Sequence, residues 1–167
     1  MKWFPIIVLL FAIGCTILIQ WNPVYNGIEF DEEISFNYED IGIVVEKFGF
    51  WSANHSPTAL LTIQNFRLDT IAFVVSDFNL VVTGDTLKQD DDTTHILKPG
   101  QNVSLTIQFH YRIKSHSVFA RSKKPLVHLL FPVIRAGLGE ISPPTIGFVP
   151  RYKYDKDKLN YETEFAN

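Results

Sequence analysis

The side chains that could do chemistry in this chain are few. There is one cysteine, Cys15, five histidines (His55, His95, His110, His116 and His128), and an acidic run, Asp90-Asp91-Asp92, with Asp85 close by. A structural zinc site needs three or four ligands at closed spacing, two of them as near neighbours on one element. His110 and His116 are six apart and His95 is remote, so solvated or hydrogen-bonded histidines are expected and no metal ligand is assigned. A tight calcium loop alternates its carboxylates, turns on a glycine and closes with a distal glutamate. Asp90, Asp91 and Asp92 are consecutive, which fits a solvated acidic loop and leaves weak cation binding open. Nucleophilic catalysis has no better basis. The chain has no G-x-S-x-G elbow, Ser115-His116-Ser117 is adjacency rather than a triad, and Cys15 sits in an apolar run. Gly137-Leu138-Gly139 lacks the third glycine and following helix of a dinucleotide loop. No catalytic residue and no cofactor is expected, and the protein reads as a non-enzyme.

Cys15 draws its meaning from its surroundings. Trp3 to Trp21 carries no charge, and as a helix would cover roughly 28 Å, close to the hydrocarbon thickness of a bilayer. Trp3 and Trp21 stand at its ends, where indoles favour headgroups. Lys2 precedes the run while Glu29, Asp31, Glu32 and Glu33 follow it, which predicts an inside N-terminus and an extracytoplasmic remainder. Phe11-Ala12-Ile13-Gly14-Cys15 resembles a bacterial lipobox, which would imply cleavage after Gly14 and lipidation of Cys15. Ala12-Ile13-Gly14 also fits an ordinary signal-peptidase site. Because the chain stays apolar through Thr16-Ile17-Leu18-Ile19, an uncleaved anchor is the preferred expectation. The uncleaved anchor attaches the chain to the membrane through residues 3–21, and all three readings put the bulk of the chain beyond the cytoplasm.

About 140 residues then remain for a single domain with its own core. The formal net charge of −3 and isoelectric point near 5.9 lack the basic face that nucleic-acid binding requires. With no cysteine after Cys15 the outer domain has no disulfide, a pattern suited to a bacterial periplasm or cell surface. Its core must come from apolar side chains, among them 14 Phe and 6 Tyr.

Strand signals dominate after Trp21. Leu61 and Ile63 alternate with Thr62 and Gln64, and Ile41, Ile43, Val45 and Phe48 mark a second strand. Val103, Leu105, Ile107, Phe109 and Tyr111 alternate with Asn102, Ser104, Thr106, Gln108 and His110, a period of two. Ile71–Val75 and Phe78–Val82 read as two strands or one bent strand, and Thr145–Val149 as another. In 125–134, Pro132 argues against an unbroken central strand. Leu97-Lys98-Pro99-Gly100 predicts a tight turn of type II chemistry, and Thr83–Thr94 a mobile loop. No amphipathic helix of ten residues follows Trp21. Seven to nine short strands predict an all-β, antiparallel two-sheet sandwich behind one N-terminal transmembrane or signal helix. The expected organisation is an anchor or signal over 1–22, a linker over 23–27, the sandwich over 28–150 and a polar tail, or short surface helix, over 151–167.

The order carried by Leu60–Asn65, Thr70–Val82 and Leu97–Phe109 is an apolar strand with a polar Asn near its end, a strand pair, a Pro-Gly turn and an alternating strand. It resembles the immunoglobulin-like and fibronectin type III-like sandwiches of small bacterial envelope proteins, and is similar to the LEA14-type water-stress domain. The likeness covers about 60 residues and implies a fold alone.

Two stretches suggest contact with something else. Arg112, Lys114, Arg121, Lys123 and Lys124 form the basic region of an acidic chain and could meet anionic headgroups, glycans or an acidic partner, although a solvated hairpin has the same composition. The Gly- and Pro-rich 136–144 could dock a partner or simply join two strands, the second being the commoner use. The expected function is therefore a membrane-anchored extracytoplasmic sandwich that binds a partner protein or scaffolds an envelope complex. The alternatives are a small-ligand or glycan-binding domain using Trp51, Tyr111 and Tyr152, or a lipoprotein anchored through Cys15.

Overall fold

The computed structural model describes residues 18–51, 56–82, 84–110, 127–150, 152–154 and 161–163. Within them the chain is all-β, with two antiparallel sheets around one core and a single 3₁₀ turn at Val75–Asp77. The larger sheet begins with β1 (Leu18–Tyr25), β2 (Ile28–Glu29), β3 (Ile34–Tyr38), β4 (Ile41–Trp51) and β5 (Pro57–Asn65). It continues with β7 (Asn79–Val82), β8 (Asp85–Lys88), β10 (Asn102–Gln108), β11 (Val127–Leu130) and β14 (Ile146–Pro150). The smaller sheet orders β13 (Gly139–Ile141), β12 (Ile134–Ala136), β6 (Ile71–Val74) and β9 (Thr94–Leu97).

The N-terminal expectation changes here. Residues 1–17, Cys15 included, lie outside the described residues. Leu18–Trp21, the end of the expected membrane helix, is extended and pairs with Phe48–Trp51 of β4, while Trp21–Val24 pairs with Gly147–Pro150 of β14. Trp21 is buried against Phe48 and not at a membrane boundary. The physical reason is competition: two neighbouring strands offer backbone partners and an apolar interior, and Ile and Trp suit a pleated surface. The larger sheet thus already includes Leu18–Tyr25, ahead of the expected sandwich boundary at Ile28. The expected linker is a hairpin, with Asn26 and Gly27 at positive φ in the two-residue turn between β1 and β2. Among the described residues no helix is long and apolar enough to cross a membrane.

Strand β4 organises the larger sheet. Its apolar residues Ile41, Ile43, Val45 and Phe48 are all buried, although the spacing lengthens from two to three at the end. A bulge between Val45 and Lys47 accounts for it, turning both Glu46 and Lys47 outward. On one flank β4 keeps β5 along nearly its whole length. On the other it holds β3 before the bulge and β1 after it, so the sheet forks at Glu46.

The remaining signals resolve as follows. β5 and β10 alternate as expected, with Leu61, Ile63 and Ile107 buried. Lys98 to Gln101 is the predicted turn: Gln101 N–H donates to Lys98 O at 3.0 Å and Gly100 has φ +78°. Ser76-Asp77 lies in the 3₁₀ turn, which carries the chain from the smaller sheet (β6) to the larger (β7). Pro132 is buried where the chain passes from β11 to β12, again between sheets. The expected loop over 83–94 instead contains β8, paired with β7. The tail contains a two-stranded ribbon, β15 (Tyr152–Tyr154) with β16 (Tyr161–Thr163), rather than a helix. Short strands outnumber the seven to nine expected because each sheet change divides a run in two. Phe48 stacks on Phe148 at 4.1 Å between ring centroids, and Phe73, Phe78 and Phe131 continue the aromatic interior in edge contacts.

Candidate functional site: a braced pole of the sandwich

The two ends of the sandwich differ. Leu18 pairs with Trp51, so the chain joins the domain at the Trp51 end of β4. Ile41, ten residues earlier, marks the opposite end, roughly 30 Å away at the rise of a strand. At that far pole the β3–β4, β5–β6, β9–β10 and β12–β13 connections come together.

Asn65 ties them. It is fully buried at the end of β5, its Nδ2 donating to Leu97 O at 3.0 Å and Asp69 O at 2.8 Å, while its Oδ1 accepts from Arg67 N–H at 2.9 Å. Its backbone N–H donates to Gln101 O, and its carbonyl accepts from Gly100 N–H. Arg67 Nε donates to Asp69 Oδ1 at 2.8 Å, and one terminal nitrogen reaches Glu39 O at 3.1 Å. That hydrogen bond, then the opposite charge, holds the Asp69 carboxyl below the usual carboxylate range and raises the guanidinium of Arg67. Glu39 and Asp40 both have positive φ, a conformation that costs energy for residues other than glycine. Their carbonyls are the ones captured, Glu39 O by Arg67 and Asp40 O by Phe66 N–H. The neighbouring β12–β13 turn has Gly137 at φ +56°, where an added Cβ would fall 2.8 Å from Asp69 Oδ2.

This bracing displays apolar side chains. Leu68, between Arg67 and Asp69, is 98 % exposed, and Leu138, after Gly137, is fully exposed. Single exposed leucines are ordinary. Two of them on adjacent, hydrogen-bonded tips are different, because the backbone beneath them is already fixed and little ordering entropy is left to lose on contact. The arrangement offers a pre-ordered apolar contact.

No protein-family model, no curated protein and no solved structure matches this chain.

Of the residues singled out in the sequence, Cys15, His55, His116 and Ser115–Ser117 lie outside the described residues. So do the basic residues Arg112, Lys114, Arg121, Lys123 and Lys124, and Tyr111; the side chains of Trp51 and Tyr152 are likewise not described. Of the described residues that bracket the basic stretch, His110 follows β10 at the Leu18 end, and Val127 begins β11 in register with Phe148 and, through it, Pro23. Asp90, Asp91 and Asp92 do not converge. Asp90 faces His110 at 3.5 Å on an exposed surface, whereas Asp91 accepts from the hydroxyl and N–H of Thr93, which lower its pKa. Among the described residues no group of three His, Cys, Asp or Glu is placed to hold a metal ion. His128 points away from the core between buried Val127 and Leu129. The 136–144 stretch is a strand connection, a tight hairpin whose tip is Leu138.

A cleft of about 430 Å³ opens where the larger sheet forks, with Asp31, Glu32, Glu33, Glu46 and Lys47 above Trp21 and Phe48. Asn22 beside it is satisfied by Glu29 Oε1 at 2.8 Å. The sequence showed these carboxylates as a charge step after the apolar run and gave no sign of the fork. Nor did it single out Arg67, Asp69 or Leu68; the only clue was a polar Asn65 ending an apolar strand.

Proposed function

We propose that the protein is a non-enzymatic sandwich of the immunoglobulin-like and fibronectin type III-like kind. It is directed across a membrane by its N-terminal apolar run and displayed on the extracytoplasmic side of a bacterial envelope, where its far pole binds a partner protein. The observation that carries the reading is the exposed pair of Leu68, on a tip braced by Asn65, Arg67 and Asp69, and Leu138, on the tight β12–β13 hairpin beside it. Their position supports a protein rather than the bilayer as the contact, since they stand at the opposite end from Leu18, where the apolar run joins. Exposed Glu29, Asp31, Glu32 and Glu33 agree with an outward-facing domain under the positive-inside rule.

The start of β1 also bears on the mode of attachment. With Leu18 committed to a sheet, residues 3–17 remain, fifteen positions that as a helix would cover about 22 Å. A straight span needs about 20 residues. The shorter length favours a processed N-terminus, either lipidated at Cys15 or simply cleaved, over the uncleaved anchor. A lipid on Cys15 would hold β1 against the headgroups and direct the Leu68–Leu138 pole away from them.

The test is co-purification from detergent-solubilised membranes with the pair Leu68→Ser and Leu138→Ser. The partner recovered with the unaltered chain should be lost with the double variant, while the unfolding midpoint stays the same. Equal recovery with both chains, or recovery of neither, would count against the reading.

A further inference from the structure

The outward face of β3, β4, β5 and β10 has a regular chemistry. Across the four strands, Asn37, Gly42, Gln64 and Asn102 fall in one row, and Ser35, Val44, Thr62 and Ser104 in the next. Lys47, Leu60 and Thr106 form a third, and Glu46 of the bulge reaches Thr62. The first two rows carry no charge, and Glu46 and Lys47 bring opposite charges side by side to the edge of the face. Strands lie about 4.8 Å apart, and same-face residues about 6.7 Å apart along a strand. The face is therefore a flat lattice of amides and hydroxyls.

Phe66 borders this lattice. Its ring lies on Gly42, so closely that a Cβ there would fall 2.5 Å from Phe66 Cε2. A glycine inside a strand weakens it, and a common reason is the close approach of another group. Here that group is a ring that stays 53 % exposed, with its backbone N–H fixed to Asp40 O at 2.9 Å. Beside the ring runs a groove of about 280 Å³, lined by Ser35, Asn37, Thr62 and Gln64 among others. The hydroxyls within it are ordered. Thr62 donates its one proton to Glu46 Oε1 at 2.9 Å, so in the 2.8 Å contact with Ser104 it must accept. Ser104 is left presenting acceptor capacity outward.

We propose that this face binds a neutral polysaccharide. A pyranose stacks its C–H face on Phe66, with its hydroxyls on Asn37, Gln64 and the Thr62–Ser104 pair. The choice follows from matching charge and hydrogen bonding. A sugar hydroxyl both donates and accepts, and the lattice offers both: the amides of Asn37 and Gln64 do either, and the Thr62–Ser104 pair accepts. A charged ligand would find no counter-charge in the two rows beside Phe66 and would meet Glu46 and Lys47 as an opposed pair, and an apolar one would strip water from amides without replacing its hydrogen bonds. The site adjoins the Leu68–Leu138 pole at Phe66, whose N–H holds Asp40 O, but its polar contacts lie on the sheet face and use neither leucine.

The test is affinity electrophoresis of the full chain in detergent through gels containing hydroxyethyl cellulose, dextran, galactomannan or, as an anionic control, alginate. At least one neutral polymer should retard migration, equally with and without 0.5 M NaCl. Phe66→Ala should weaken that retardation about tenfold, the scale of one lost stacking contact. Asn37→Ala with Gln64→Ala, which leaves the aromatic ring in place, should weaken it too. Mobility unaffected by every neutral polymer, retardation undiminished in both variants, or salt-sensitive retardation by alginate alone would each overturn the proposal. So would a Phe66→Ala chain whose only change is its oligomeric state, since the face would then be a contact between copies.

Discussion

Trp21 meets Phe48 edge to face, with ring centroids 6.5 Å apart and planes at 86°. The contact fixes where the domain begins. A tryptophan that hydropathy places at the end of an apolar run instead closes the interior between β1 and β4. Trp21→Ala should accordingly cost about 3–5 kcal/mol, the range for removing a large core side chain. Urea unfolding checks it. A tryptophan at a headgroup boundary would leave the midpoint unmoved.

Asn65 is the second structural pivot. Truncation to Ala strands Leu97 O, Asp69 O and Arg67 N–H at or near the interior, and each orphaned group costs about 1–3 kcal/mol. Asn65→Ala should therefore lose at least about 3 kcal/mol in urea unfolding. Asn65→Asp should be no rescue, because a carboxylate cannot donate to the two carbonyls.

The Arg67–Asp69 pair makes the pole sensitive to acid. The native Asp69 carboxyl titrates below its unfolded value of about 3.9, so its contribution is complete above roughly pH 5 and is lost as pH falls through the lowered native value. Between about pH 5 and 2 the unfolding midpoint of the unaltered chain should fall more steeply than that of Asp69→Asn. Parallel pH profiles would show that the pair adds nothing to stability.

The N-terminus has a direct assay. Intact mass of the membrane-extracted protein should correspond to a processed chain, starting at a lipidated Cys15 or at a nearby signal-peptidase site. A full-length mass would mean that the fifteen residues before β1 are enough to anchor it, and would return the uncleaved span to first place.

How far the sequence could be read depended on the range of the interactions involved. β5, β10 and the Lys98–Gln101 turn were legible because a period of two and a Pro-Gly pair are local signals. Leu18–Trp21 was not, since hydropathy scores a membrane interior and a sheet interior alike, and only pairing with Phe48–Trp51 separates them. β8 lacks a buried residue and carries no apolar period, so Asp85–Lys88 looked like a loop until β7 paired with it. The pole was illegible for the same reason. Arg67 finds Glu39 and Asp69 finds Gly137 across long stretches of chain, and exposed leucines at loop tips carry no motif.

The measurement closest to the central claim is photo-cross-linking in intact cells, with a photoreactive residue at Leu138 and, as the control, at exposed His110, which follows β10 at the Leu18 end. The account predicts a discrete protein adduct from position 138 that disappears when Leu68 is also changed to Ser, and none of the same size from position 110. The same adduct from position 110, or no adduct from 138, would contradict it.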